Sequence, residues 1–285
     1  MMELEKLDTS NQFDARVVSS ERITPENHDE IRELVLDLNV SDIDIDVGQS
    51  LAVLAPGQEE FGQEHHLRLY SVADLPGRSD EGKPRIKICV KRCSYIDDYS
   101  GERYEGVASN YLCDLAPGET VTMTGPVGLP FKVPPEEDAN VILIATSTGI
   151  APFRAFVRHL FEKTPFRGRV WLFYGAKTGL DMVYLNDKAD DFTQYYDSQT
   201  FEAFKALSPR LHFGDAIDWG ATIRERGKEL WKMFGSLETY VYVAGLAAVA
   251  SELDAEFTRI AGSEERWKRR KAEMVAGGRW IELLY

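Results

Sequence analysis

The sequence predicts two domains: an antiparallel β-barrel over residues 1–135, then an α/β domain with a doubly wound parallel sheet over residues 139–285. Three observations carry this. In the first part, short stretches alternate polar and apolar side chains and end in Gly or Pro, as half-buried strands joined by tight turns do. In the second, continuous apolar runs alternate with helix-length segments, the rhythm of strands buried on both faces between crossover helices. Between them lies Val133-Pro-Pro-Glu-Glu-Asp138, a stiff acidic linker.

In the first domain, Ser50-Leu-Ala-Val-Leu-Ala55 and Thr120-Val-Thr-Met-Thr124 read as strands that stop at Pro56-Gly57 and Gly125-Pro126. Arg85-Ile-Lys-Ile-Cys-Val-Lys-Arg92 has the period of two that puts alternate side chains on opposite faces. Arg68-Leu-Tyr-Ser71 is expected at the start of another strand, and residues 77–84 and 97–102 are polar loops. In the second domain the expected order is strand 141–145, helix 151–163, strand 170–174, a helix near 179–189, strand 210–213, a helix near 221–234, strand 239–243 and a helix near 246–260.

A hydrophobic share of 44% supports a core in each domain and excludes global disorder. The net charge of −14 argues against nucleic acid, whose phosphates call for Lys and Arg. The acidity is uneven: residues 1–135 hold 13 Lys/Arg against 25 Asp/Glu, and residues 136–285 hold 20 against 22. The acidic half either stays simply solvated or steers a charged partner. The three cysteines, Cys89, Cys93 and Cys113, are too few for a cysteine-ligated iron–sulfur cluster and include no Cys-x-x-Cys pair. A low, odd count fits a reducing compartment, so a cytoplasmic location is expected. The opening Met-Met-Glu-Leu-Glu-Lys-Leu-Asp has neither the basic nor the apolar part of a signal peptide. No apolar run approaches a membrane span.

Three segments could carry chemistry. Alternation puts Arg68 and Tyr70 on one face of their strand, a cation beside an aromatic ring, suited to a ligand with an anion and a flat ring. Gly106-Val-Ala-Ser-Asn110 offers successive N–H groups and a hydroxyl as an anion nest, or else a turn with Ser109 as helix N-cap. Thr146-Ser-Thr-Gly-Ile-Ala-Pro152 follows a buried strand and opens a helix, the place where doubly wound folds bind ligands.

Together these segments resemble the plant-type ferredoxin–NADP reductases. The family's Arg-x-Tyr-Ser stands here as Arg68-Leu-Tyr-Ser71, and its Cys-Val-Lys-Arg with a following Tyr as Cys89-Val-Lys-Arg92 and Tyr95. Its Gly-Val-Cys-Ser-Asn stretch stands as Gly106-Val-Ala-Ser-Asn110, and its Gly-Thr-Gly-Ile-Ala-Pro-Phe-Arg as Ser147-Thr-Gly-Ile-Ala-Pro-Phe-Arg154. Its Tyr-Val-Tyr-x-Cys-Gly-Leu stands as Tyr240-Val-Tyr-Val-Ala-Gly-Leu246, and its terminal aromatic as Tyr285. The resemblance implies that residues 1–135 bind FAD and residues 139–285 bind NAD(P). It implies that Arg68 neutralises the FAD pyrophosphate, Tyr70 stacks on the isoalloxazine, and Ser71 faces flavin N5. Tyr95 would stack on the adenine, Val107, Ala108 and Ser109 would hold the pyrophosphate, and Tyr285 would cover the other flavin face. It extends the cofactor-binding set to Leu69, Cys89, Val90, Lys91, Gly106, Thr148, Gly149, Arg154 and Gly245. Ser71, Tyr285 and Glu282 are the implied catalytic set.

The chain departs from the pattern in places. Ala244 replaces the family cysteine, and Glu282 stands three residues before the last Tyr instead of two, a shift that reverses a strand side chain. In place of the residues that take the 2′-phosphate of NADP, this chain has His212-Phe-Gly-Asp-Ala-Ile-Asp-Trp-Gly-Ala221. Asp215 and Asp218 suit a ribose diol and incline the reading to NADH, with Arg224 and Arg226 as the groups that could still accept NADPH. The expected function is an FAD-dependent oxidoreductase that moves electrons between NAD(P)H and a one-electron carrier, ferredoxin by default and otherwise flavodoxin, through hydride transfer to flavin N5. The alternatives are the reductase component of a multi-protein oxygenase or redox complex, and a flavin-binding regulatory subunit without turnover.

Overall fold

A computed structural model describes residues 7–57, 64–97, 99–128, 131–185, 192, 201–208 and 217–284. The chain divides into two compact units, residues 1–131 with 151–159, and residues 132–150 with 160–285.

The first unit is an antiparallel sheet that curls on itself. Its strands are β1 (Gln12–Arg22), β2 (Ile31–Leu38), β3 (Ser50–Pro56), β4 (His65–Ser71), β5 (Gly77–Arg78), β6 (Pro84–Lys91) and, later in the chain, β9 (Thr120–Val127). They lie in the order β4-β3-β9-β1-β2-β6-β5. A bridge from Val72 to Ile88 ties the segment after β4 to β6, which brings the ends of the sheet together. A bulge between Val17 and Ser19 in β1 adds to the bend. Alternation does what the pattern predicts: Leu34, Leu36, Leu51, Val53, Ile86, Ile88, Val121 and Met123 fill one core. The expected loop at 97–102 is a loop, and it joins two short strands, β7 (Ser94–Ile96) and β8 (Arg103–Glu105), which pair only with each other. Helix α1 (Val107–Asp114) follows at once and lays Leu112 and Cys113 on the core. Arg68 to Ser71 end β4 rather than begin it.

The second unit has a parallel five-stranded sheet, built from β10 (Asn140–Thr146), β11 (Arg169–Ala176), β12 (Phe201–Leu207), β13 (Thr239–Gly245) and β14 (Trp280–Leu284), in the order β12-β11-β10-β13-β14. Helix α2 (Ala151–Lys163) matches its expected span, and its residues 151–159 belong to the first unit. The expected helix near 221–234 is two helices, α3 (Trp219–Glu225) and α4 (Gly227–Phe234), broken at Arg226. Helices α5 (Ala248–Ala261) and α6 (Glu264–Ala276) complete the unit. An aromatic group of Phe234, Phe257, Trp267 and Trp280 packs where α4, α5, α6 and β14 meet.

Two further expected elements differ. The helix near 179–189 is a single 3-10 turn over Gly179–Asp181, started by the Thr178–Asp181 capping box, and residues 186–189 lie outside the described part. The strand expected at 210–213 also falls outside the described residues, and the strand beside β11 is 201–207.

Candidate functional site

In the first unit the candidate residues gather around α1. Gly106 caps the helix without any side-chain acceptor, so the cap leaves first-turn N–H groups for an anion, aided by the helix dipole. A side chain at Gly106 would press on the Ser109 hydroxyl at 2.9 Å and the Cys93 carbonyl at 3.1 Å. Ser109 is therefore not the N-cap: it sits inside the first turn, accepting from Cys93 N at 3.1 Å and donating to Gly106 O at 3.3 Å. Asn110 adds bonds of 2.8 Å from its amide to the same two carbonyls. The nest is thus built by a strand end and a helix start that hold each other. Its donor set suits a pyrophosphate.

Around it, Tyr70 is largely buried against the barrel core, and burial pushes its phenol well above the ordinary range. Arg68, exposed on the same strand, donates to the Leu67 carbonyl at 2.8 Å. The Ser71 hydroxyl lies 3.1 Å from that of Ser50 on the neighbouring strand. Leu69 is half-buried, while Cys89 and Val90 are buried in β6. Burial pushes the Cys113 thiol up to about 12, so it stays protonated. Lys91 pairs with Asp29 at 2.6 Å. Arg92 reaches Asp114 at 2.7 Å, Glu30 at 2.8 Å and Asn110 at 2.9 Å, bracing α1 from below. Tyr95 stands in β7, stacked on Tyr104 of β8.

Arg154 is placed otherwise than the resemblance implies. It is 7% exposed and bound inside the first unit to Asp74 at 2.9 Å, to Ala73 O at 3.0 Å and to Glu33 at 3.7 Å. Its neighbour Arg158 and Lys87 complete the ring of cations on Asp74. These bonds fasten α2 to the barrel segment of the same unit.

In the second unit the candidates meet at the carboxyl ends of β10 and β13. Ser147 takes a left-handed conformation, φ 48°, where the family has Gly, and its carbonyl accepts from Tyr174 at 3.1 Å. The turn Ser147–Ile150 contains Thr148 and the buried Gly149, where any Cβ would collide with the Ala244 carbonyl. Gly245 has φ 142° and no room for a side chain beside Thr146. The Thr146 hydroxyl is buried with no hydrogen-bond partner, an orphan polar atom at the strand end where a dinucleotide belongs. Pro152 starts α2 at the favoured position. These features fit a nucleotide pyrophosphate approaching bare backbone.

Of the remaining candidates, Asp218 lies at the end of β12, its N–H on the Leu207 carbonyl at 3.1 Å and its carboxylate capping α3 through Ala221 N at 2.9 Å. Asp215 and Tyr285 lie outside the described residues. Arg224 pairs with Glu256 at 3.4 Å, and Arg226 with Glu202 at 3.7 Å. Glu282 accepts from the Trp280 indole at 2.6 Å and from Lys271 at 3.0 Å. Burial would raise its carboxyl, but those two donors outweigh it and hold it below the usual range. Sequence reasoning had Thr146 in its ligand-binding segment without singling out its hydroxyl, and it missed Asp74 and Tyr104. Only Tyr104 had a local signal, a second aromatic across a Ser-Gly turn from Tyr95.

Among the described residues no cluster of His, Cys, Asp and Glu could hold a metal, and no helix is long and apolar enough to cross a membrane. The family model of the oxidoreductase FAD-binding domain matches residues 14–131, and that of the oxidoreductase NAD-binding domain matches residues 143–252. The chain is 31% identical to a ferredoxin–NADP reductase of Synechocystis over 255 residues, and 30% identical to that of Spirulina over 279. These matches cover 88% and 95% of this chain. It spans 62% of the Synechocystis protein, 65% of a Picosynechococcus relative and 94% of the Spirulina protein. A solved ferredoxin–NADP+ reductase variant from Plasmodium falciparum, in complex with 2′P-AMP, has the same fold, with TM-score 0.71 over 98% of both chains at 18% identity. With both modules in this order and nearly the whole Spirulina protein matched, the chain belongs to the plant-type ferredoxin–NADP reductase family.

Proposed function

We propose that the chain is an FAD-dependent oxidoreductase that passes electrons between NAD(P)H and a one-electron carrier protein. The observation that carries this is the glycine-capped start of α1, a built anion site in a domain of the FAD-binding family. Bound FAD supplies the ring that accepts a hydride at N5 and releases electrons singly. The residues around it hold and orient. Arg68 would bring positive charge to the pyrophosphate, Tyr70 would offer a ring held by the barrel core, and the Ser71 hydroxyl, whose position is supported by its bond to Ser50, would face N5. Tyr95 takes the adenine. Thr146, Thr148, Gly149 and Gly245 receive the nicotinamide nucleotide. The Asp218 carboxylate at the end of β12 tips the donor toward NADH, since a 2′-phosphate there would meet a negative charge. The relatives' names make ferredoxin the first carrier to try, with flavodoxin next, and three cysteines outside any disulfide fit a cytoplasmic setting.

The test is anaerobic bleaching of the FAD-loaded protein by NADH and NADPH at equal concentration. Bleaching by NADH ahead of NADPH is expected, and no bleaching by either would overturn the reading. A second reading, the reductase component of a multi-protein redox complex, gains from the barrel cations: Arg85, Lys87, Lys91 and Arg92 are each paired with carboxylates of the same unit.

A further inference from the structure

Strands β7 and β8 form a ribbon of their own, outside the seven-stranded sheet. A lone two-stranded ribbon has little stability in water. Its register sets Tyr95 opposite Tyr104, and the rings stack with centroids 5.5 Å apart and planes 21° from parallel. Both rings stay open to solvent, Tyr95 58% exposed and Tyr104 42%. The Tyr104 hydroxyl donates to Glu102 Oε2 at 2.7 Å, which fixes that ring. The base of the ribbon is bonded to the start of α1, through Gly106 N to Cys93 O at 2.9 Å and Cys93 N to the Ser109 hydroxyl at 3.1 Å. An exposed aromatic stack therefore stands beside the anion nest, where a base joined through ribose to a pyrophosphate would fall.

We propose that Tyr104 backs Tyr95 in a three-layer stack of Tyr104, Tyr95 and the adenine of FAD, with Glu102 holding the backing ring. This rests on the assignment of Tyr95 to the adenine and adds a residue to it. A base entering between the two rings would need two contacts of about 3.5 Å, a centroid separation of about 7 Å. At 5.5 Å the gap is closed, so the base lies on the outer face of Tyr95. Tyr104 touches no ligand in this arrangement and is a positioning residue. Tyr95 has no core beneath it. Without Tyr104 its ring samples several rotamers in the free protein, and ordering it when the base arrives weakens binding.

The experiment titrates the full chain, stripped of flavin, with FAD and with FMN, following flavin fluorescence. FMN carries the ring and one phosphate but no adenine. Tyr95→Ala is expected to weaken FAD about 10- to 100-fold, the range of a lost base–aromatic stack, and to leave FMN unchanged. Tyr104→Ala is expected to weaken FAD about fivefold, again without effect on FMN, as the loss of one aromatic pair predicts. Tyr104→Phe keeps the ring and loses only the bond to Glu102, so FAD affinity stays within about twofold of the parent, below the effect of a whole ring pair. If Tyr95→Ala acts and Tyr104→Ala does not, the backing role is wrong and the adenine assignment stands. If neither variant changes FAD affinity, the adenine assignment fails as well. Equal loss of FAD and FMN in Tyr104→Ala would show a general distortion of the nest and overturn the proposal.

Discussion

Asp74 shows how a single residue can hold a structure while leaving no trace in local sequence. It is 5% exposed and ringed by Arg154, Arg158 and Lys87. Burial would raise its carboxyl, but the attraction of Arg154, Lys87 and Arg158 outweighs burial and holds it below the usual range. The sign follows from linkage. A carboxyl with a depressed folded pKa contributes its stability above the unfolded value of about 3.9, and the contribution fades as pH falls through the folded value. Asp74→Asn should therefore lower stability by about 3 kcal/mol at neutral pH, because it strands buried cations. The difference from the parent should shrink as pH is lowered below about 4. Urea unfolding of both proteins at neutral and acid pH checks this, and a difference independent of pH would refute it. The motif around Arg154 was legible, but its partner was not. Asp74 lies far away in sequence, and only the packing of α2 brings the two together. Gly149 is the opposite case, since a small residue at a strand-to-helix turn signals close backbone approach, and the Ala244 carbonyl lies there.

At the scale of elements, strong periodicity was read well and weak periodicity poorly. Helix α2 and strands β6, β10 and β13 carry clear patterns and stand within a few residues of their expected spans. Strand β12 was hidden because Phe-Glu-Ala-Phe-Lys-Ala-Leu is rich in helix formers and wins its extended form only by pairing with β11. Helix α6 was hidden by its charge: it buries only Trp267 and Met274, seven residues apart. That helix bears on Glu282. Glu282 shares a face of β14 with Trp280, and α6 supplies Lys271, whose ammonium also lies 5.1 Å from the Trp280 ring. The carboxylate thus ties the last strand to the last helix. Glu282→Gln should leave the rate of flavin bleaching by nicotinamide within about twofold and cost about 1 kcal/mol of stability, modest because the pair keeps some contact with water. Stopped-flow bleaching beside thermal unfolding measures both. A large loss of rate with unchanged stability would return Glu282 to the catalytic set.

For the whole molecule the open question is which partner its charge admits. The count of charges was legible: residues 1–135 carry 25 acidic and 13 basic side chains. How they pair was not, because pairing depends on register. Strands β2 and β6 put Asp37 directly opposite Arg85, and Glu33 diagonal to Lys87. Lys83 reaches Glu81 at 3.2 Å, Lys91 reaches Asp29, and Arg92 holds Glu30 and Asp114. The row of cations in β6 that could have formed a basic docking patch is neutralised within its own unit. The field around that unit stays negative. An acidic carrier then approaches against repulsion, and a basic one is drawn in. Raising ionic strength from about 0.01 M to about 0.1 M shortens the screening length from about 30 Å to about 10 Å. The second-order rate with an acidic ferredoxin should rise about threefold or more over that range, while the rate with a cationic one-electron acceptor protein should fall by a similar factor. Bleaching by nicotinamide, measured alongside, separates the carrier step from flavin reduction. A rate with acidic ferredoxin that falls with salt would mean that a local basic surface overrides the net charge, and that the ion pairs of β6 open when the carrier docks.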